Sequence, residues 1–404
     1  MTVSTHIKGD AGEINFQCFL SGPNEVCTLH TSIINRDGKV LKSISSQCTD
    51  SVTGSFQLAK CSPWSPDDPY LYVLLLEVIK NDVVVDSYSL EVGIREIKVE
   101  RDKLLINGKP VFLRGFGKHE DFPVLGKGLS YPLIVKDFEL MKWIGANSFR
   151  TSHYPYAEEM IIQADRLGFL VIDEVPAVSL NFRHTTEKTL ENHKISLTEL
   201  IMRDHNHPSV ISWSVANEPG IWGEEEALSD SADEYWQEIF NHVHDLDPTR
   251  PTMLPLHAGM GLDDPSLKYV DIIALNRYYG WYEFPGDLEK ACRHLKEEMI
   301  DFYTKFKKPV MLTEFGADTI PGEHATYDNL FTEEYQAALI EAYFDVIESL
   351  PFTIGEHIWN FADFRTSQHH RRVVLNRKGV FNRNRDPKRA AFMIRNYWTT
   401  DKKV

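Results

Sequence analysis

Pro309-Val310-Met311-Leu312-Thr313-Glu314-Phe315-Gly316 is an apolar run of strand length that ends on a carboxylate. Similar runs lie on either side of it. Strands are predicted at Val111–Gly115, Asn147–Ser152, Leu170–Glu174, Val210–Glu218, Pro251–Leu256, Asp271–Tyr278, Pro309–Gly316 and Gly355–Phe361. Amphipathic stretches such as Ala157–Arg166 and Leu288–Phe306 fall between them. Eight β-then-α units over roughly 300 residues predict a closed (β/α)8 barrel in preference to an open doubly wound sheet. No GxGxxG or P-loop follows any of these strands, which argues against nucleotide binding.

Towards the N-terminus the pattern changes near residue 95. Short alternating runs, Glu13–Leu20, Cys27–Ile34 and Tyr70–Val78 among them, are separated by turn residues such as Asn35–Lys39 and Lys80-Asn81-Asp82. About seven such runs without helical periodicity predict a small immunoglobulin-like β-sandwich. The predicted organisation is therefore a sandwich over 1–95 and a barrel over 96–404.

The chain has 404 residues, with 43 Lys+Arg against 59 Asp+Glu and a net charge of −16. That balance argues against nucleic acid or an anionic membrane as partner, and an anionic substrate would need a local island of positive charge. The start, Met1–His6, lacks the basic-then-apolar pattern of a signal peptide. Tyr70–Val78 is too short to cross a bilayer and already contains Glu77. A soluble, cytoplasmic chain is expected. Cys18, Cys27, Cys48 and Cys61 cluster near the N-terminus, with Cys292 apart. The four could form two disulfides in three pairings, but reduced core thiols are the expectation without a secretory signal. No CxxC spacing supports a zinc site.

In a barrel, reacting groups sit at the C-terminal ends of strands. The fourth predicted strand ends Val215-Ala216-Asn217-Glu218-Pro219 and the seventh ends at Glu314. A carboxylate ending an apolar strand costs desolvation and needs a partner or a function. One alone reads as a cap or an ion pair. Two, with Asn217 beside one, suit glycoside hydrolysis, which needs one protonated and one ionised carboxyl. A separation of about 5–5.5 Å gives retention, and about 6.5–9.5 Å gives inversion.

At these residues the chain resembles the retaining enzymes of glycoside hydrolase family 2. The likeness includes Phe116–Asp121, Asn147–Pro155, Asn217-Glu218-Pro219, Asn276–Tyr282 and Glu314, and covers nearly all of 93–400. It implies Glu218 as general acid/base and Glu314 as nucleophile. It also implies that Asn217 bonds the sugar 2-hydroxyl and that Tyr278 bonds near the nucleophile. Asp121, His153, Asn276, Tyr282 and Trp359 match positions that line the sugar pocket. Arg371–Gly379 resembles the Asn-x-Lys motif of members that act on glucuronides, with Asn376 and Lys378 on the C6 carboxylate and Arg372 close by. Four cations in eight residues there would supply the local positive field. The implied reaction is hydrolysis of terminal β-D-glucuronides, small or oligosaccharide, with no cofactor, by a homo-oligomer. Rival readings are a galacturonidase or galactosidase of the same family, or a binding or assembly subunit without activity.

Other residues carry structural readings. His205 and His207 are expected to make hydrogen bonds after a helix instead of holding a metal, and Asp173-Glu174 to act as a hydrogen-bonding support. Arg383–Arg389 is expected to be a solvated surface turn. Against the family pattern, an N-terminal jelly-roll domain is not seen before the sandwich. The loop after the third strand also lacks a long insertion, so larger glycans are expected to gain access.

Overall fold

The computed structural model describes residues 1–21, 26–220, 226–370 and 372–400; the side chains of Cys48 and of residues 226–228 also fall outside the description. Among the described residues, seven strands form the sandwich. β1 (Thr2–Lys8), β2 (Ala11–Phe19) and β5 (Ser51–Leu58) make one sheet. β4 (Val40–Cys48), β3 (Cys27–Ile34), β6 (Tyr72–Lys80) and β7 (Val83–Val92) make the other. The alternating residues Ile14, Phe16, Leu29, Ile33, Phe56, Leu74 and Leu76 fill the space between them. Asn81 and Asp82, both with positive φ, close the β6–β7 hairpin as a two-residue turn. Cys27 faces Cys48 across β3 and β4. The Cys48 side chain lies outside the described residues, and with it the pairing question. Cys18, Cys61 and Cys292 are thiols, and burial raises the pKa of each.

A small sheet, β8 (Ile97–Glu100), β9 (Lys103–Ile106) and β10 (Lys109–Pro110), follows. Its Leu104 and Ile106 join Leu113, Leu170, Ile172, Ile211, Met253, Ile272, Met311 and Ile354 in one apolar cluster inside the barrel floor.

The barrel is closed by β11 (Leu113–Gly117), β12 (Ser148–Arg150), β13 (Leu170–Glu174), β14 (Val210–Ser214), β15 (Thr252–Leu256), β16 (Ile272–Asn276), β17 (Val310–Glu314) and β18 (Thr353–Trp359). Every adjacent pair is parallel, including β11 with β18. All eight predicted strands are present, with ends that differ by a few residues. The largest difference is in β14: Val215–Glu218 leave the ladder, Asn217 N–H binding Ala177 O and Glu218 N–H binding Pro255 O.

Outside the strands lie α1 (Tyr131–Ile144), α2 (Glu158–Leu167), α3 (Glu187–Asp204), α4 (Glu226–Leu246), α5 (Leu288–Phe306), α6 (Glu333–Glu348) and α7 (Arg389–Thr399). In α5, Asp287 caps the N-terminus by accepting from Lys290 N–H, and Ala291, Leu295, Met299 and Phe302 form the buried stripe. The predicted series of eight helices is corrected at the fifth unit. Among the described residues, β15 is followed only by a 3-10 turn, Pro265–Lys268, in a segment broken by Gly259, Gly261 and Pro265.

Arg383–Arg389 also departs from its expectation of a solvated turn. Arg385 and Lys388 are buried, Arg385 on Asp137 and Lys388 on Asp363, because the loop after β18 folds back under the barrel mouth.

Candidate active site

The C-terminal ends of the barrel strands enclose a cavity of about 870 Å³, lined among others by His153, Asn217, Glu218, His257, Asn276, Tyr278, Tyr282, Glu314, Trp359, Arg372, Asn376 and Lys378. Size does not choose it. A larger cleft, about 1060 Å³, lies between sandwich and barrel, and there Arg95 and Arg250 are tied to main-chain carbonyls.

Glu314 ends β17 and is buried. Its Oε1 accepts from Arg150 Nη2 at 2.6 Å and its Oε2 accepts from the Tyr278 hydroxyl at 2.6 Å. Burial pushes the Glu314 carboxyl up and the Glu218 charge adds to this, against the pull of Arg150, His153 and Tyr278. Burial and the Glu314 charge hold Tyr278 well above its ordinary value, so it stays protonated as a donor.

Glu218 follows β14 with φ of +48°, a left-handed conformation that non-glycine residues rarely adopt. Asn276, at the end of β16, donates from Nδ2 to Glu218 Oε1 at 3.0 Å and to Asn217 Oδ1 at 3.2 Å. Its own Oδ1 accepts from Thr313 Oγ1 at 2.8 Å, immediately before Glu314. One amide thus ties the two glutamate-bearing strand ends together.

Arg150, ending β12, is the hub that the sequence reading did not assign. Its fork spans Glu174 Oε2 and Glu314 Oε1, each at 2.6 Å, with no exposed surface. Glu174 also accepts from Ser214 Oγ at 2.7 Å and contacts His153 Nδ1 at 2.6 Å. Burial acts to raise Glu174, but Arg150 and His153 hold it below the usual range. Strand alternation explains the split of Asp173-Glu174: Glu174 turns inward, and Asp173 turns out to Thr151 and Asp204. Arg150 ends a short strand, Ser148-Phe149-Arg150, with too few apolar residues to mark it as the glutamates are marked.

His153 and Trp359 stack at 5.1 Å between ring centres and share the cavity wall. Across from them, Lys378 Nζ is buried and lies over the rings of Tyr278, Trp281 and Tyr282. It donates to the Tyr282 hydroxyl at 2.9 Å, as does Arg372 Nη1 at 3.0 Å. Both cations also contact Asp318 Oδ2, a residue absent from the sequence reading. Asn376 lines the same wall, and its Oδ1 accepts from Lys378 N–H. Arg371 lies outside the described residues.

Asp121 is not brought to this wall. Its carboxylate is committed to the Arg383 guanidinium at 2.7 and 2.8 Å and to Arg365 N–H at 2.8 Å. Burial would raise it, but these bonds hold it below its ordinary value. Asp121 thus holds down the loop after β18 and is not among the residues that line the cavity. His207 binds Asp165 at 2.5 Å, and Arg250 donates to the carbonyls of His205 and His207. Among the described residues no cluster of His, Cys, Asp or Glu could hold a metal ion. No described helix is long and apolar enough to cross a membrane.

The chemistry available is a carboxylate pair beside a cationic and aromatic wall. Residues 97–402 match the family model for the TIM barrel domain of glycosyl hydrolases family 2, and residues 1–95 match a second model of that family. A beta-glucuronidase of Paenibacillus borealis is 41% identical over 98% of this chain and 66% of its own length. The beta-glucuronidase of Homo sapiens is 40% identical over 98% of this chain and 61% of its own. A beta-D-glucuronidase structure from Dictyoglomus thermophilum superposes with a TM-score of 0.90 at 40% identity, covering 98% of this chain and 68% of that one. A Ruminococcus gnavus enzyme in complex with D-glucuronic acid gives 0.89 at 37%, covering 98% and 67%. The chain spans just under two thirds of the length of the curated relatives it matches. With both models of the family together spanning nearly all of its length, the chain belongs to glycosyl hydrolases family 2.

Proposed function

We propose that the chain hydrolyses terminal β-D-glucuronides with retention of configuration. Glu218 protonates the glycosidic oxygen while Glu314 attacks the anomeric carbon, and Glu218 then deprotonates the water that releases glucuronate. The observation that carries this reading is one cavity holding both Glu218 and Glu314 together with Lys378, Arg372 and Asn376. Arg150 and Tyr278 favour the ionised nucleophile, working against its burial. The Asn217 amide oxygen is engaged by Asn276, which leaves its NH2 to meet the sugar 2-hydroxyl. His153 and Trp359 offer aromatic faces to the pyranose, and Tyr282 and Asn376 join the cations at the C6 carboxylate. The reading needs no cofactor. A homo-oligomer in the cytoplasm completes it. Supporting this are the exposed apolar tip at Val124, Leu125 and Leu129, which suits a partner surface, and the thiols Cys18 and Cys61.

The test is hydrolysis of p-nitrophenyl β-D-glucuronide beside the β-galacturonide and β-galactoside, with Glu314→Gln and Glu218→Gln as controls. The glucuronide is expected to be the preferred substrate. Glu314→Gln should abolish turnover, and Glu218→Gln should lower it by roughly 10²–10⁴-fold. Preference for the galacturonide or galactoside would move the chain to another activity of the family. No hydrolysis by the folded protein would favour a binding subunit.

A further inference from the structure

The cationic wall contains its own carboxylate. Asp318 lies four residues past Glu314, in the loop after β17, and is buried. Its Oδ2 contacts both Lys378 Nζ and Arg372 Nη1, and its Oδ1 accepts from Arg377 N–H at 3.0 Å. The loop that carries Asn376 and Lys378 is thereby tied to the strand that carries Glu314.

We infer that Asp318 is a positioning residue that makes Lys378 and Arg372 specific for a substrate carboxylate. This rests on the uronide reading above. Lys378 is buried and Arg372 half-buried beside it, so the two cations repel and need an anion to hold them. Asp318 supplies it, and leaves one net positive charge, which a single uronate neutralises. Because Oδ2 is shared, the ammonium and the guanidinium converge on one side of the cavity, so their remaining N–H donors can meet one ligand. The aromatic faces of Tyr278, Trp281 and Tyr282 complete the seat of the ammonium. A neutral sugar would draw nothing from this arrangement, so Asp318 acts on discrimination and leaves the bond-breaking step alone.

The experiment measures binding of D-glucuronate and D-glucose by calorimetry, and turnover of p-nitrophenyl β-D-glucuronide and β-D-glucoside, in wild type, Asp318→Asn, Lys378→Met and the double variant. Asn keeps an oxygen for Arg377 N–H, which preserves the loop, and Asp318→Glu provides a charged comparison should Asn unfold the chain. Asp318→Asn should raise KM for the glucuronide at least tenfold with kcat changed less than threefold. The glucuronate-to-glucose affinity ratio should fall by a similar factor, and Asp318→Glu should keep part of it. In the Lys378→Met background the Asp318→Asn effect should shrink to less than threefold, which loss of fold stability alone would not produce. An unchanged or improved ratio in Asp318→Asn, with wild type still preferring glucuronate, would overturn this inference alone. A wild type that does not prefer glucuronate to glucose would overturn it together with the uronide reading.

Discussion

Arg150 stands between two buried carboxylates, and its role can be read from the direction of their proton affinities. It opposes the burial that drives Glu314 upward, so weakening the contact raises the Glu314 pKa further. A nucleophile must be ionised, so a raised pKa removes activity at the acid side. In Arg150→Lys, where one nitrogen replaces a fork that now serves Glu174 and Glu314 together, the rising limb of kcat/KM should move up by roughly one pH unit. Arg150→Met should move it further, and should also cost about 3–5 kcal/mol in stability by leaving carboxylates buried without their partner. Both are checked by pH–rate profiles on the glucuronide alongside thermal melts, and an unmoved limb would show that Arg150 does not set the charge of Glu314, the proposed nucleophile. At this scale the sequence was legible where a charge ended an apolar strand, as at Glu218 and Glu314. It was not legible where a charge finds its partner across the chain. Asp121 bonds Arg383, 262 residues away, and nothing local to Phe116–Asp121 encodes that pairing. Asp318 is defined only by cations on a different loop.

Strands and helices were the most legible level, since barrel strands such as β13, β16 and β17 are apolar runs and α5 coincides with its amphipathic stretch. The fifth unit was misjudged because a strand followed by a long connection looks alike whether that connection forms a helix or a turn. The segment after β18 was misjudged for a related reason: its basic residues read as solvated until the fold places Asp121, Asp137 and Asp363 beneath them. That segment includes β19 (Phe364–Arg365) and β20 (Leu375–Asn376), paired to each other, and it sits against main chain with no space to spare. A Cβ on Gly379 would collide with Asp363 N and Ala362 C, both backbone atoms that cannot rotate away. Gly379→Ala should therefore push the loop off β18 and carry Lys378 with it. A displacement of about 1 Å at a binding group is worth on the order of 10²-fold in rate, and overpacking costs about 1–3 kcal/mol. Glucuronide kcat/KM should fall by that order while circular dichroism of the barrel is kept. Wild-type turnover in this variant would mean the loop does not position the clamp.

At the scale of the whole molecule, sandwich and barrel meet at the end of the barrel opposite the glutamates. Trp64 is fully buried there, its Nε1 donating to Asp165 O at 2.8 Å and its ring clustered with Leu113, Leu170 and Ile172 at the barrel floor. Arg95 donates to the carbonyls of Pro208 and Val210 at the start of β14, and Asn107 donates to Trp64 O. The change of sequence pattern near residue 95 predicted two units; this junction depends on a tryptophan and an arginine whose partners lie about a hundred residues further on, which no local pattern reveals. Support from below and chemistry above are thus separable. Trp64→Ala should cost about 3–5 kcal/mol, as truncation of a large buried aromatic does. If the division near residue 95 is a true unit boundary, that loss falls on the coupling between units, and a single calorimetric transition should split into two. The cavity lies at the far ends of the same strands, so glucuronide turnover at 25 °C should remain within about threefold of wild type, a difference under about 1 kcal/mol. Trp64→Phe, which keeps most of the apolar contact and loses the indole hydrogen bond, should fall between. A single transition shifted downward in Trp64→Ala would instead mean that sandwich and barrel unfold as one body and that the interface is spread over many contacts. Loss of turnover with the fold intact would mean the floor reaches the strand ends, and that the barrel transmits strain along β13 and β14 to Glu174 and Glu218.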